Sequence, residues 1–281
     1  MQFVKMQGIG NDFIIVECLN DNPISGDLAQ LAIKLCDRNF GIGGDGLILV
    51  LPSQVADYRM RIINSDGSEA EMCGNGVRCF ARYLYNRGLA NGTVAVETLA
   101  GVKKVDIVNN ADGSVAFKVD MGAPRLDAAE IPIAGYEGPV VSQPLKVGGV
   151  PFTITCVSMG NPHCIIFLGD EDIPLDAMPV ESIGPGIETH PSFPKKTNVE
   201  FIKVLNENEI NFRVWERGAG ITMACGTGAC ASVVAGVLNG ILARKATVHL
   251  PGGDLLIEWP EGGSVFMTGP AEEVFTGTVR I

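Results

Sequence analysis

Two similar segments 152 positions apart constrain this chain more than any other feature. Residues 61–76 read RIINSDGSEAEMCGNG, and residues 213–228 read RVWERGAGITMACGTG. Both contain Cys-Gly-x-Gly ahead of a helix-like pattern, so Cys73 aligns with Cys225 at an offset of 152 (225 − 73). Recurrence over such a length indicates a repeated supersecondary unit.

A second pair of motifs recurs at nearly the same spacing. Gly10-Asn11-Asp12-Phe13 precedes the apolar residues IIV, and Gly160-Asn161-Pro162-His163 precedes CIIF, at an offset of 150 (160 − 10). Two motifs in the same order indicate a duplicated domain. We place the boundary between the halves in the Pro- and Gly-rich stretch 121–151. The predicted domains are 1–121 together with 271–281, and 122–270.

The periodicity of apolar residues predicts both strands and helices. The predicted strands are Tyr58 to Asn64, Thr93 to Leu99, Ala116 to Asp120 and Ile210 to Trp215. The predicted helices are Asp27 to Arg38, Gly74 to Arg87 and Gly226 to Asn239. Gly88 and Gly240 suit helix C-termini, and the pairs Gly252-Gly253 and Gly262-Gly263 suit hairpin turns. The predicted fold class is mixed α/β, with strands in the majority.

The composition excludes several classes of protein. The chain has 281 residues, of which 46% are hydrophobic, and a net charge of −11. This acidity argues against nucleic-acid and anionic-membrane partners, because both require clustered Lys and Arg. The sequence contains neither a signal peptide pattern nor an apolar run of membrane-spanning length, so we expect a cytoplasmic protein. The eight cysteines include no Cys-x-x-Cys pair, so we expect neither a disulfide framework nor a structural zinc site.

The paired Cys-Gly-x-Gly segments carry the candidate chemistry. Their glycines permit a tight turn at a helix N-terminus, where unpaired backbone N–H groups attract an anion. The same field stabilises a thiolate and lowers the pKa of a cysteine. Two symmetry-related thiols suit inversion of a stereocentre, since one can remove a proton from one face while the other returns a proton to the opposite face. The helix N–H groups would stabilise the charge that develops on the adjoining carboxylate.

The motif set resembles that of the diaminopimelate epimerase family, in order and from Met1 to the last strand. The matching segments are Asn11-Asp12-Phe13, Asn64 with Asp66-Gly67-Ser68-Glu69, Cys73-Gly74-Asn75-Gly76-Val77-Arg78-Cys79, Gly160-Asn161-Pro162-His163, Glu216-Arg217-Gly218 and Cys225-Gly226-Thr227-Gly228. The resemblance implies two pseudo-symmetric domains, each a curled mixed sheet around a central helix, with the C-terminal strand returning to the first domain. It also implies epimerisation of L,L-diaminopimelate to the meso form, in lysine and peptidoglycan precursor biosynthesis, with no cofactor and no metal ion.

The resemblance assigns roles to single residues as well. Cys73 and Cys225 are implied as acid and base, and His163 and Glu216 as groups that adjust their pKa values, since a carboxylate raises and an imidazolium lowers the pKa of a thiol. The implied substrate contacts are Asn11, Asn64, Gly74, Asn75, Asn161, Asn198, Glu216, Arg217, Gly226 and Thr227. Arg217 suits a carboxylate because its planar guanidinium can bond both oxygens. A homodimer with a contact near Phe275 is implied too.

One position departs from the family pattern. Gly46 stands where some members carry a substrate-contacting glutamine, directly after Gly41-Ile42-Gly43-Gly44-Asp45. We therefore assign no substrate contact to that position.

The residues alone leave other functions open. A related cysteine-dependent racemase acting on proline or hydroxyproline would use the same chemistry. A thiol redox or binding protein would use the cysteines as a switch, although the lack of Cys-x-x-Cys argues against a thioredoxin-like mechanism. A cysteine hydrolase is weaker still, because none of His163, His190 and His249 is clearly a base partner.

Overall fold

The structure is a computed structural model that describes residues 1–19, 24, 26–169, 171 and 173–280. The chain divides into two compact units, Met1–Asp120 with Thr268–Ile281, and Met121–Met267. The predicted boundaries lie at 121/122 and 270/271, and the observed boundaries lie at 120/121 and 267/268. Ile281, the last residue of the predicted first domain, lies outside the described residues.

The elements up to the first unit boundary are β1 Gln2–Gly8, β2 Asn11–Glu17, α1 Leu28–Cys36, β3 Gly46–Leu51, β4 Tyr58–Asn64, β5 Glu69–Ala70, α2 Gly74–Asn86, β6 Thr93–Thr98, β7 Gly101–Asn109 and β8 Val115–Gly122. They are followed by β9 Gln143–Val147, β10 Val150–Ser158, β11 Pro162–Leu168, a 3₁₀ turn at Leu175–Ala177, α3 Val180–Glu188, β12 Asn198–Asn206, β13 Glu209–Glu216, β14 Gly220–Ile221, α4 Gly226–Leu238, β15 Lys245–Leu250, β16 Gly253–Glu258, β17 Val265–Gly269 and β18 Glu272–Thr278. Within the described part of the chain, no helix is long and apolar enough to cross a membrane.

The two units share one strand topology. In the first, β1 and β2 are antiparallel, β2 and β3 parallel, β3 and β4 antiparallel, and β4 and β6 parallel. In the second, the pairs β10–β11, β11–β12, β12–β13 and β13–β15 repeat that series of directions. The repeat seen in the sequence is therefore a repeat of structure, and the predicted mixed fold of two pseudo-symmetric halves is confirmed.

One helix lies at the centre of each unit. Both α2 and α4 have thirteen residues, of which ten are buried. A helix buried on nearly all sides is enclosed by its sheet, whereas a helix that lies on a sheet buries a single stripe. In α4, Gly236 permits close packing, because a Cβ there would lie 2.3 Å from Cδ1 of Leu242.

Small shifts separate some predicted elements from the observed ones. Helix α1 begins after Asp27, whose carboxylate accepts hydrogen bonds from the N–H groups of Ala29 and Gln30, and it ends at Cys36. The predicted turn at Gly252-Gly253 is wrong by one residue, because Gly253 already pairs with Leu250 in the β15–β16 hairpin.

Helix α3 is an element that the sequence analysis missed. Its sequence VESIGPGIE contains Pro185 and two glycines, which disfavour an isolated helix. Tertiary packing favours it instead: a Cβ on Gly184 would lie 2.5 Å from Cγ of Trp215, so only glycine permits this approach to β13.

Candidate active site

The first half-site forms around Cys73, at the N-terminus of α2. Cys73 is the N-cap residue, and its sulfur accepts a hydrogen bond from the N–H of Gly76 at 3.5 Å. A Cβ on Gly76 would lie 3.2 Å from Cδ1 of Ile62 and 3.4 Å from Cβ of Cys73. The Cys-Gly-x-Gly pattern thus turns strand into helix and directs a backbone N–H at the sulfur.

Two asparagines of the predicted set lie beside Cys73. The thiol of Cys73 donates to Oδ1 of Asn11 at 3.6 Å, and Nδ2 of Asn75 donates to the same oxygen at 3.3 Å. Nδ2 of Asn11 donates to Oδ2 of Asp45 at 2.5 Å. The parallel pairing of β2 and β3 brings Asp45, which directly precedes β3, to the beginning of β2.

The end of β4 contributes Asn64, whose Nδ2 donates to the hydroxyl of Ser68 at 3.0 Å. Asn64 pairs with Gly46 across the β3–β4 ladder. A Cβ on Gly46 would lie 3.0 Å from the carbonyl oxygen of Ile63 and 3.5 Å from the ring of Phe13. This crowding gives a physical reason for glycine at the position that departs from the family pattern.

The second half-site forms around Cys225, the N-cap residue of α4. Sγ of Cys225 lies 3.6 Å from Oγ1 of Thr227, and Nδ2 of Asn161 donates to that hydroxyl at 3.3 Å. Gly228 completes the turn, since a Cβ there would lie 2.7 Å from Oε1 of Glu200 and 3.2 Å from Sγ of Cys225. The same motif therefore gives the same backbone but different polar neighbours in the two halves.

His163 and Glu200 form a fully buried pair next to Cys225. Nδ1 of His163 lies 2.7 Å from Oε1 of Glu200, and both side chains have 0% exposure. Nε2 of His163 lies 3.0 Å from Oδ1 of Asn161. A nitrogen of His163, an oxygen of Glu200 and the sulfur of Cys225 all lie within 4.8 Å of one another. These three donor types could hold a metal ion, but the hydrogen bond between His163 and Glu200 accounts for their approach without one.

Sequence reasoning missed Glu200. It follows Asn198 by two residues on β12, so both side chains lie on one face of the strand. The available signal was a carboxylate within the otherwise apolar run that follows Asn198, since a buried charge requires a partner.

Burial governs the acid–base properties of the second half-site. It raises the pKa of Cys225 well above 9.0, and the carboxyl groups of Glu216 and Glu200 add to this shift. Burial also raises the pKa of Glu216, against the opposing hydrogen bonds from Thr222 and Cys225. A helix N-terminus predicts a lowered cysteine pKa, and the structure differs because the desolvation of a buried thiolate outweighs the helix field. Burial therefore favours the thiol form of Cys225 over the thiolate in the substrate-free protein.

The turn after β13 carries Arg217, and buried side chains fix it from two sides. Oδ1 of Asn198 accepts a hydrogen bond from the backbone N–H of Arg217 at 2.9 Å, and Nδ2 of Asn198 donates to the carbonyl of Pro162 at 2.8 Å. Glu188 accepts from the indole of Trp215 at 2.7 Å and from the N–H of Gly218 at 3.2 Å. The Arg217 guanidinium itself is exposed and donates to the carbonyl of Lys195 at 3.2 Å. A turn fixed by hydrogen bonds thus presents an exposed cation.

The remaining cysteines differ from this pair. Among the described residues the cysteines form no disulfide with one another, and the other six are buried. Cys79, inside α2, is fully buried, and burial raises its pKa to about 12. Cys225 shares this burial and a raised pKa, so Cys79 is distinguished by its place inside the helix, away from the helix N-terminus, where a buried thiol is a packing group.

Known proteins resemble this chain in sequence and in fold. The sequence signature of the family described as diaminopimelate epimerase matches residues 3–126 and 155–274. The chain is 58% identical over 278 residues to the diaminopimelate epimerase of Pelotomaculum thermopropionicum, covering 99% of this chain and 98% of that protein.

Two crystal structures share the fold at low identity. The phenazine biosynthesis protein of the PhzF family from Bacillus anthracis is similar with a TM-score of 0.71 and 18% identity, over 100% of this chain and 99% of that one. A probable proline racemase from Agrobacterium radiobacter is similar with a TM-score of 0.68 and 13% identity, over 100% and 93%.

Proposed function

The chain belongs to the diaminopimelate epimerase family, and we propose that it converts L,L-diaminopimelate to meso-diaminopimelate without a cofactor. The observation that supports this proposal is the pair of cysteines, Cys73 and Cys225, each the N-cap of a buried helix in one of two repeated units. The product would serve lysine and peptidoglycan precursor biosynthesis.

In the proposed mechanism, the two cysteines act on opposite faces of one α-carbon. With substrate bound, one sulfur is a thiolate that removes the proton, and the other is a thiol that returns a proton to the inverted face. The carbanion formed between these steps spreads its charge into the α-carboxylate. Backbone N–H groups at the two helix N-termini would bind that carboxylate more strongly as its charge grows.

The proposed substrate contacts follow from the chemistry of each side chain. Asparagine can accept a hydrogen bond from an ammonium group and donate one to a carboxylate. Arg217 is the proposed clamp of a carboxylate, because its guanidinium is exposed while its backbone is fixed by Asn198. The full proposed set is Asn11, Asn64, Gly74, Asn75, Asn161, Asn198, Glu216, Arg217, Gly226 and Thr227, with His163 and Glu216 adjusting cysteine pKa values.

The test is hydrogen exchange during turnover in deuterated water. A two-base enzyme gives early product labelled at the inverted carbon, while recovered L,L-diaminopimelate carries little label. Cys73→Ala and Cys225→Ala should each abolish inversion. Cys79→Ala is the matched control, because Cys79 is a buried cysteine in α2, the helix that begins after Cys73. This variant should keep its activity.

Two results would contradict the proposal. Equal labelling of substrate and product from the start would indicate one exchanging base. Inversion of proline or hydroxyproline, with no inversion of diaminopimelate in the same panel, would move the chain to another substrate with the same chemistry.

We also propose that the protein is a cytoplasmic homodimer. Phe275 and Val274 on β18 are 47% and 56% exposed, and the Phe275 ring packs edge-on against Phe3 at 5.9 Å. Strand β18 pairs antiparallel with β1, and its exposed side chains form an apolar surface on that ladder. Such a surface suits contact with a second copy of this chain.

A further inference from the structure

The segment Gly41-Ile42-Gly43-Gly44-Asp45 has no role in the mechanism above, yet its last residue bonds to the first half-site. Oδ2 of Asp45 accepts from Nδ2 of Asn11 at 2.5 Å and from the backbone N–H of Asp12 at 3.0 Å. The backbone N–H of Asp45 donates to the carbonyl of Asp12 at 2.7 Å. Asp45 is thus bonded to both residues at the start of β2.

Two cations fix the carboxylates of this network. Nη2 of Arg38 bonds to Oδ1 of Asp45 at 2.8 Å and to Oδ1 of Asp12 at 2.7 Å. Nζ of Lys5, whose side chain is 9% exposed, lies 2.5 Å from Oδ2 of Asp12 and also donates to the carbonyl of Gly43. Because Arg38 bonds to Oδ1 of Asp45, the other carboxylate oxygen of Asp45, Oδ2, faces Asn11.

This contact determines which way the Asn11 amide points. A carboxylate can only accept hydrogen bonds, so it requires the NH₂ end of Asn11 to face Asp45. Oδ1 of Asn11 must then point away from Asp45, towards Cys73 and Asn75. The bond that Asn75 donates to Oδ1 agrees with this direction.

The direction of the amide affects the proton on Cys73. A carbonyl oxygen 3.6 Å from Sγ can accept a hydrogen bond from the thiol but offers nothing to a thiolate. A hydrogen bond to the neutral form of a group disfavours its charged form. We propose that Asp45 is a positioning residue: through Asn11 it keeps Cys73 protonated in the substrate-free enzyme.

The catalytic consequence of this inference rests on the proposed function. A substrate ammonium group bound to Oδ1 of Asn11 would occupy the acceptor that faces the sulfur. The thiol would then lose its bond to Asn11, while the N–H of Gly76 would remain to stabilise a thiolate. Substrate binding would thus favour formation of the base.

The test measures the thiolate of Cys73 directly. Iodoacetamide reacts with thiolates, so the pH midpoint of Cys73 alkylation, followed by mass spectrometry of its peptide, reports the proton on the sulfur. In Asp45→Asn the Asn11 amide can turn its NH₂ to the sulfur. The midpoint should then fall by about one pH unit. At a pH below the midpoint, the variant would carry about tenfold more thiolate than the wild type.

A double-mutant cycle separates the amide from the lost charge. Asn11→Ala alone should also lower the midpoint, since it removes the acceptor. Asp45→Asn in the Asn11→Ala background should then add little, because no amide remains to turn. Asp45→Glu, which still only accepts hydrogen bonds, should leave the midpoint near that of the wild type.

Equal shifts from Asp45→Asn in both backgrounds would overturn the inference, because they would show a direct charge effect. If Asp45→Asn does not fold, Asn11→Ala decides alone, and an unchanged or higher midpoint rejects the inference. The readout needs no turnover: the expected midpoints in a protein that does not invert diaminopimelate would support the role of Asp45 and reject the proposed function.

Discussion

Oδ1 of Asn198 accepts a hydrogen bond from the backbone N–H of Arg217, and its Nδ2 donates to the carbonyl of Pro162. This one buried amide therefore links the turn after β13 to the beginning of β11. Asn161 and His163 flank Pro162, and Glu216 precedes Arg217. The position of several proposed site residues thus depends on Asn198.

Asn198→Ala should reduce both stability and activity. Removing the two hydrogen bonds leaves the part-buried N–H of Arg217 and the buried carbonyl of Pro162 without that partner, which lowers the free energy of unfolding by about 1–3 kcal/mol. We expect kcat/KM to fall by about tenfold, because loss of about 1.4 kcal/mol of transition-state stabilisation has that effect. Urea unfolding and steady-state kinetics measure the two changes. Asn206→Ala, at the exposed end of the same strand, is the control, and equal effects in both variants would contradict the linking role.

Arg217→Lys should lower kcat/KM by about 100-fold with the fold intact, since it keeps the charge but loses bidentate binding of a carboxylate. Circular dichroism and urea unfolding should match the wild type because the side chain is exposed. Arg59→Lys, an exposed arginine paired with Glu97 at 3.6 Å, is the matched control. Near-normal kinetics for Arg217→Lys would remove it from the proposed binding set.

Glu216→Gln should flatten the pH dependence of stability. Burial raises the pKa of Glu216 above 4.5, so the folded protein binds this proton more tightly than the unfolded chain. The contribution of Glu216 to the free energy of unfolding is therefore present at low pH and is lost as the pH rises from 4.5 through the folded pKa. The free energy of unfolding falls there with a limiting slope of about 1.4 kcal/mol per pH unit. Urea unfolding between pH 4.5 and 8 tests this. Glu209→Gln, at the exposed beginning of the same strand, should keep the wild-type slope, and an unchanged slope in Glu216→Gln would reject the assignment.

Phe275→Asp should dissociate the proposed homodimer, since it places a charge on the apolar surface of β18. Light scattering should give twice the 29.7 kDa chain mass for the wild type at micromolar concentration, and the chain mass for the variant. Phe40→Asp is the control, because Phe40 is 93% exposed in another part of the same unit. A monomeric wild type would exclude the dimer.

Local patterns in the sequence predicted much of the fold. Strand β4 has the predicted bounds Tyr58–Asn64, and helices α2 and α4 begin directly after Cys73 and Cys225. These elements are encoded locally, by alternation along a strand and by glycine beside an N-cap residue. Helix α3 was missed because its Pro and Gly content opposes a helix and only packing against Trp215 favours it.

The partners of the proposed site residues could not be predicted in this way. Asp45 reaches Asn11 through the pairing of β2 with β3, and Glu200 reaches His163 through the parallel register of β11 and β12. The register between distant strands cannot be derived from the local sequence pattern. The sequence therefore identifies the carboxylate but not the residue to which it bonds.

The close approach of Gly228 to Glu200 restricts the order in which this site can change over generations. Alanine usually favours a helix over glycine by about 1 kcal/mol, so selection for stability alone would replace Gly228. Here a methyl group would lie 2.7 Å from the Glu200 carboxylate and 3.2 Å from Sγ of Cys225, so the replacement requires Glu200 to be shortened first and still crowds the sulfur. Shortening Glu200 in turn removes the hydrogen-bond partner of Nδ1 of His163. Glu200 therefore constrains Gly228 by its position and is itself constrained by its bond to His163, so the first substitution in either direction is expected to be unfavourable.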